Sequence, residues 1–254
     1  MTELFTLIFD VDGTLANTER DGHRVAFNQA FATAGLDWEW SVSLYGELLE
    51  VSGGKERINF YISRYQPELK SSIPLQELIY NLHATKTQYY QRLLATGTIP
   101  LRLGVKRLLA EARNQKIRLA IATTSTLENV IALLENTLGK ESLSWFEVIA
   151  AGDMVPQKKP APDIYYYVLE KMNIQPDNCL VFEDSDNGLK AALAAGLKTI
   201  VTVNDYTQNQ DFTGATLVLN HLGEPDQPFT VISGDAKDRT YVDMNLINDI
   251  INFR

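Results

Sequence analysis

From residue 99 onward, short apolar runs alternate with stretches of helical periodicity, and that alternation restricts the chain to a parallel sheet flanked by helices. A helix carrying Val105, Leu108, Leu109 and Ala112 leads to a strand at 117–122. Helix 127–138, closed by Gly139, leads to a strand at 147–150. Helix 162–173 precedes strand 179–182, and helix 187–195, stopped by Gly196, precedes strand 198–203. One further run, 4–11, has the same buried character but stands alone at the start. Between it and the rest, residues 18–95 show only helical spacing: near 20–34 (Phe27, Ala30, Phe31, Ala34), 41–50, 54–66 and 75–95. Ile58, Tyr61, Ile62 and Tyr65 form the apolar stripe of the third.

The expected fold class is therefore α/β, a doubly wound, Rossmann-like parallel-sheet core with an all-helical cap inserted after its first strand. The expected boundaries are 1–17 for the first core segment, 18–97 for the cap and 98–254 for the remaining core. The tail is expected to add an edge strand at 215–219 and a final amphipathic helix carrying Val242, Leu246, Ile247, Ile250 and Ile251.

Composition narrows the function classes. The 254 residues are 45% hydrophobic and 22% charged, an ordinary globular mixture, and no window approaches the roughly 20 apolar residues of a membrane-spanning helix. The first strand begins too early to leave room for a signal peptide, so the expected compartment is the cytoplasm, or the plastid stroma if a transit peptide was removed. The single cysteine, Cys179, excludes an internal disulfide and reads as a packed residue. A formal net charge of −9 argues against nucleic acid as a partner. An acidic chain can still bind a small anion if a metal ion and a few placed cations reverse the local field.

In an open parallel sheet, ligands bind beyond the carboxyl ends of the strands. After the first strand come Asp10 and Asp12, two residues apart and so on the same side of an extended chain, before Gly13. Carboxylates held that close repel unless a cation or a proton intervenes. After the second come Thr123, Thr124 and Ser125, hydroxyls beside backbone N–H groups at a helix start. After the third comes Lys158-Lys159-Pro160, and after the fourth Glu183-Asp184-Ser185. Each piece has a plainer reading alone. The acidic pair could be a turn, the hydroxyls an N-cap box, the lysines a solvated loop, and Glu183-Asp184 a cap for the next helix. All four would have to hold together at the strand ends, where a site must lie.

Asp10/Asp12/Thr14, Thr123, Lys159 and Glu183/Asp184, in that order, resemble the motif series of the haloacid dehalogenase-like hydrolase superfamily, whose members are mostly phosphatases. Lys159-Pro160-Ala161-Pro162-Asp163 and the string Phe182 to Gly188 are similar to its helical-cap branch. Gly53-Gly54-Lys55-Glu56-Arg57-Ile58, His23…Ala26-Phe27-Asn28 and Asp37-Trp38…Trp40 resemble the CbbY-type phosphatases associated with Rubisco. His23 lies eleven residues after Asp12, one more than is common in the family.

The resemblance implies a Mg²⁺-dependent hydrolase whose nucleophile is Asp10, with Asp12 as general acid and base and Thr123 and Lys159 on the phosphoryl oxygens. It implies Mg²⁺ ligation by an Asp10 oxygen, the Asp12 backbone carbonyl and Asp184, with Glu183 holding a metal-bound water. Glu19, His23, Gly53, Gly54, Lys55, Arg57, Thr124 and Ser125 are then the candidate substrate contacts, Lys55 and Arg57 gripping a phosphate that is not transferred. In such proteins the cap closes over the core and supplies the substrate-specific contacts. The implied substrate is a small phosphorylated sugar, xylulose 1,5-bisphosphate, a misfire product that inhibits Rubisco, and the expected state is a monomer. A β-phosphoglucomutase-like phosphomutase would use the same core, and a non-catalytic phosphometabolite-binding protein is the third class. His83 and His221 match no motif and are expected at the surface.

Overall fold

The computed structural model describes residues 5–51 and 54–252, the side chain of Asp153 excepted. Two compact units divide the chain: residues 18–99 form one, and the segments on either side of them form the other.

The flanking segments build a sheet that contains, among the described residues, β1 (Thr6–Phe9), β2 (Arg118–Ala122), β3 (Val148–Ala150), β4 (Cys179–Glu183), β5 (Lys198–Thr202), β6 (Leu217–Leu219) and β7 (Val231–Gly234). Their order is β3-β2-β1-β4-β5-β6-β7, parallel throughout except for β7. All four residues of β1 are buried, as a strand covered on both faces must be. The chain leaves β1 toward β2 and β3 and returns to build outward from β4, so the order reverses between β1 and β4. That is where a crevice opens in such sheets. Phe9 sits level with Ile121 on one side and Phe182 on the other. The Phe9 and Phe182 rings stack with centroids 4.6 Å apart. This register brings the residues that follow β1, β2 and β4 to one rim.

The strand expected at 215–219 is not the edge. The antiparallel β7 covers β6, with a break in register at Val218/Leu219. All of β7 is exposed, so it lacks the buried pattern by which the other strands announce themselves.

The 18–99 unit is helical among its described residues. A π-helical turn, Thr18–His23, runs into α1 (Arg24–Thr33), followed by α2 (Val42–Leu48), α3 (Gly54–Tyr65) and α4 (Leu75–Ala95). Its centre is aromatic: Trp40 packs against Phe27, Phe31 and Tyr61 with centroids 4.6, 4.8 and 5.3 Å apart. Asn28 fixes the segment before α2 by accepting the Trp40 N–H at 2.8 Å and donating to the Trp40 carbonyl at 3.1 Å. Tyr65, the last member of the expected stripe, is exposed and stacks on Tyr61.

The remaining helices flank the sheet: α5 (Val105–Asn114), α6 (Leu127–Leu138), α7 (Asp163–Met172), α8 (Asp186–Ala194) and α9 (Met244–Asn252). Val242 is buried just ahead of α9, and the Asp243 carboxylate accepts the Leu246 N–H at 2.7 Å. Cys179 is buried, and that burial pushes its thiol up to about 12, which leaves it inert. No helix among the described residues is long and apolar enough to cross a membrane.

Candidate active site

Asp10 follows β1 directly and donates its backbone N–H to the Phe182 carbonyl of β4. Its carboxylate is therefore held beside those of Glu183 and Asp184, and all three residues are buried. One carboxylate oxygen from each lies within 4.8 Å of the other two. Burial raises Asp10 well above the ordinary range for an aspartate. Glu183, Asp184 and Asp12 push the same way, and Lys159 opposes them. Asp184 is likewise raised, to about 7, by burial and by Glu183, against Arg102, Asn204 and Lys159. Such crowded carboxylates are what a divalent cation binds, and oxygen-only donors suit a hard ion.

Lys159 reaches this cluster from the loop ahead of α7. Its ammonium donates to Asp10 Oδ1 at 2.7 Å, Glu183 Oε1 at 2.6 Å and the Ala122 carbonyl at 2.9 Å. Burial would lower its proton affinity, but Asp10 and Glu183 outweigh that and raise it. All three ammonium protons thus meet protein oxygens, and the lysine orients the carboxylates. Direct phosphoryl contact, as expected from sequence, requires one of these bonds to exchange. Lys158, its neighbour, is exposed.

The plainer readings of two motifs fail on capping. Ser185 accepts the Gly188 N–H at 3.2 Å and is the N-cap of α8, which leaves Glu183 and Asp184 unused by the helix. Thr126, without a side-chain bond, caps α6. Ser125 instead donates its hydroxyl to Asp12 Oδ2. Thr123 is buried and its Oγ1 accepts the Ser125 N–H at 3.2 Å, while Thr124 is exposed. The Asp12 carboxylate is outside the metal-type cluster, so only its backbone carbonyl remains as a candidate ligand.

Three contributors escaped the sequence reading. Tyr165 of α7, fully buried, donates its hydroxyl to Glu183 Oε1 at 2.5 Å. Burial and Glu183 raise that phenol, so it stays protonated as the donor. The signal was a tyrosine within an otherwise apolar stripe, since a buried phenol needs a partner. Arg102 donates to the carbonyl oxygens of Gly13, Thr202, Val203 and Asn220. It is a lone charge between Leu101 and Leu103, which marks it in the sequence. Asn204, just beyond β5, donates to Asp184 Oδ2 at 2.7 Å. Reading past the fifth strand end, as past the other four, finds it. Gly188 also matters: a Cβ there would overlap the Glu183 carboxylate.

Within the 18–99 unit, Glu19 Oε2 accepts the Tyr45 hydroxyl at 2.6 Å. His23 stacks on Tyr90, and its Nδ1 lies 2.7 Å from the Lys86 ammonium. Arg57 is buried and does not stand open as a phosphate grip. It donates to the Leu48 carbonyl at 3.0 Å, the Tyr45 hydroxyl at 2.9 Å and the Val51 carbonyl at 3.3 Å. One helical turn after Gly54, its side chain is drawn back to the carbonyls at the end of α2. Lys55 is exposed over the Tyr80 ring. Gly53 lies outside the described residues. Space above Gly54 is taken by His83, whose Cδ2 is 2.6 Å from where a Cβ would be. His83 and His221 are half-buried, a correction to the surface placement expected of them. Burial lowers His83, with Lys86 and Lys55 adding to it, and His221 Nδ1 accepts the Gly223 N–H.

Comparison with known proteins agrees with this geometry. Residues 6–196 match the family described as haloacid dehalogenase-like hydrolase. Protein CbbY of Cupriavidus necator is 48% identical over 222 residues, 87% of each chain. A CBBY-like protein of Arabidopsis thaliana is 41% identical over 224 residues, 87% of this chain and 70% of that one. Among solved structures, a CbbY mutant from Rhodobacter sphaeroides in complex with xylulose-(1,5)bisphosphate aligns with a TM-score of 0.71. It has 44% identity and covers 86% of this chain and 94% of the other. By this family match and these identities, this chain belongs to the haloacid dehalogenase-like hydrolase family, as a CbbY-type enzyme.

Proposed function

We propose that this phosphatase is Mg²⁺-dependent and removes a phosphate from a sugar bisphosphate, xylulose 1,5-bisphosphate, through an aspartyl-phosphate on Asp10. The observation that carries the reading is the Lys159 bridge, which fixes Asp10 Oδ1 at 2.7 Å beside the Glu183 and Asp184 carboxylates. The 44% identity to a CbbY that binds this bisphosphate supports the choice of substrate.

Asp10, Glu183 and Asp184, with the Asp12 carbonyl, would hold Mg²⁺, which when bound neutralises the acidic cluster and the phosphoryl dianion. Asp10 supplies the attacking oxygen. Its bond to phosphorus forms as the bond from phosphorus to the sugar oxygen breaks, and Asp12 gives that oxygen a proton. Asp12 then takes a proton from the water that attacks phosphorus. Inorganic phosphate leaves, and Asp10 is restored. Ser125 holds Asp12 in place through its hydroxyl bond. Thr123 and Lys159 balance the charge spread over the phosphoryl oxygens in the transition state. Thr124 adds backbone contacts, while Glu19, His23, Gly53, Gly54 and Lys55 contribute the substrate-specific ones. Arg57 supports them by fixing the chain between α2 and α3.

Phosphate release from a panel of sugar mono- and bisphosphates, with Mg²⁺ and with chelator, tests the reading. The highest kcat/KM is expected for xylulose 1,5-bisphosphate, with none after chelation. Interconversion of a sugar monophosphate in the presence of catalytic bisphosphate would instead make the protein a mutase. Full turnover after exhaustive chelation would remove the metal assignment.

A further inference from the structure

We infer that Asn204 is a positioning residue that limits Asp184 to one oxygen toward a divalent cation, and thereby sets a preference for a small six-coordinate ion over calcium. The inference rests on the metal reading above and adds a residue to it.

Asn204 is held from several directions by its own turn. Its Oδ1 accepts the Tyr206 N–H at 2.9 Å. Its backbone N–H donates to Thr207 Oγ1 at 3.1 Å, and its carbonyl accepts the Thr207 N–H at 3.2 Å. An N–H pointing at the side chain requires an acceptor there, so Tyr206 decides which end of the amide is oxygen. The nitrogen end is thereby turned to Asp184 Oδ2, 2.7 Å away. The backbone of Gly13 crowds the same oxygen. Gly13 has φ +89°, and a Cβ there would overlap Asp184 Oδ2, standing 2.6 Å from its Cγ and 2.7 Å from Asn204 Nδ2. Asp184 Oδ2 thus meets both a main chain and an amide whose direction is fixed by a third group.

An oxygen that accepts an amide proton at 2.7 Å and is also crowded by the Gly13 backbone is a poor metal ligand, which leaves a cation the other oxygen of Asp184. Calcium takes about 6–8 oxygens at about 2.3–2.6 Å and often draws a carboxylate in through both of its atoms. Magnesium takes single oxygens at about 2.0–2.1 Å in an octahedron. Restricting Asp184 to one oxygen therefore penalises the larger ion selectively. Asn204 never touches the substrate; it acts through Asp184.

The test is isothermal titration calorimetry of the metal-free protein with MgCl₂ and with CaCl₂, comparing wild type, Asn204→Ala and Asn204→Asp. The aspartate keeps the acceptor for Tyr206, and so the turn, but has no proton for Asp184. The expected result is that the ratio Kd(Ca)/Kd(Mg) falls at least fivefold in both variants. A ratio within twofold of wild type in both, or a change confined to one of them, would overturn the inference: a change in the alanine alone would trace to the turn, and one in the aspartate alone to its added charge. A wild-type protein that binds neither cation would instead overturn the metal reading itself.

Discussion

Asp10 and Lys159, 149 residues apart in the chain, meet in a 2.7 Å ion pair in which both side chains are almost fully withdrawn from solvent. A buried pair of this kind compensates for only part of the desolvation of its ions. Asp10 remains raised well above its usual range even so. The site is therefore under electrostatic stress until further positive charge arrives, and the first expectations concern that stress.

Without metal, stability should fall as pH rises. Asp184 is held near 7 in the folded protein, against about 3.8 when free. Between those values the folded state binds more protons than the unfolded one, so its stability is full below about pH 4 from this group and lost progressively up to about pH 7. Asp10, raised too, acts in the same direction. In chelator, the melting temperature is expected to be lower at pH 8 than at pH 5.5, with Mg²⁺ restoring more at pH 8. A metal increment that is larger at pH 5.5 would contradict this.

Asp10→Asn is expected to abolish turnover and phosphoenzyme while leaving the protein folded, since it removes the attacking oxygen at constant volume. In chelator its melting temperature should rise, because a charge that burial opposes is gone and Lys159 keeps its 2.6 Å bond to Glu183. Differential scanning calorimetry and trapping of the phosphoenzyme with labelled substrate check both halves.

Asp12→Asn should lose on the order of 10²–10⁴-fold in turnover of sugar phosphates, the usual value of general acid–base help. An aryl phosphate needs less protonation of its leaving group, so its first step should suffer less. Equal losses in rapid-quench measurements of the two substrates would remove Asp12 from that role.

Arg57→Ala and Lys55→Ala should separate a frame from a contact. Arg57 satisfies two main-chain carbonyls and the Tyr45 hydroxyl. Its loss removes three hydrogen bonds from a charged donor, two of them buried, worth about 1.5–3 kcal/mol each. The expectation is a clear drop in melting temperature and similar activity losses on bisphosphate and aryl phosphate. Exposed Lys55 should cost little stability and reduce kcat/KM for the bisphosphate alone, by about tenfold. Steady-state kinetics of both variants on both substrates decides.

The doubly wound core was legible because the apolar stretches of β1, β2 and β4, and the shorter one of β5, are separated by helical periods, and the acids and hydroxyls follow the first three. What stayed hidden was set by tertiary partners. Val231 and Ile232 sit on an exposed strand that pairs with β6. Arg57 looked like a phosphate ligand because its sequence neighbours are glycine and lysine. Its actual partners, Leu48 and Val51, precede it by nine and six residues, a separation that no periodicity encodes. Tyr165 is core, with one polar atom whose partner lies eighteen residues away.

Arg102 gives the tail of the chain a stake in the chemistry. One guanidinium joins the carbonyl of Gly13, in the turn that follows Asp12, to those of Val203 and Asn220. The family match ends at residue 196, so two of those anchors lie in sequence that no motif marks. Residues past 200 thus belong to the foundations of the acidic cluster. Trimming the protein to its recognisable portion would remove the ground on which Gly13 and Asp184 stand, even with every motif residue retained.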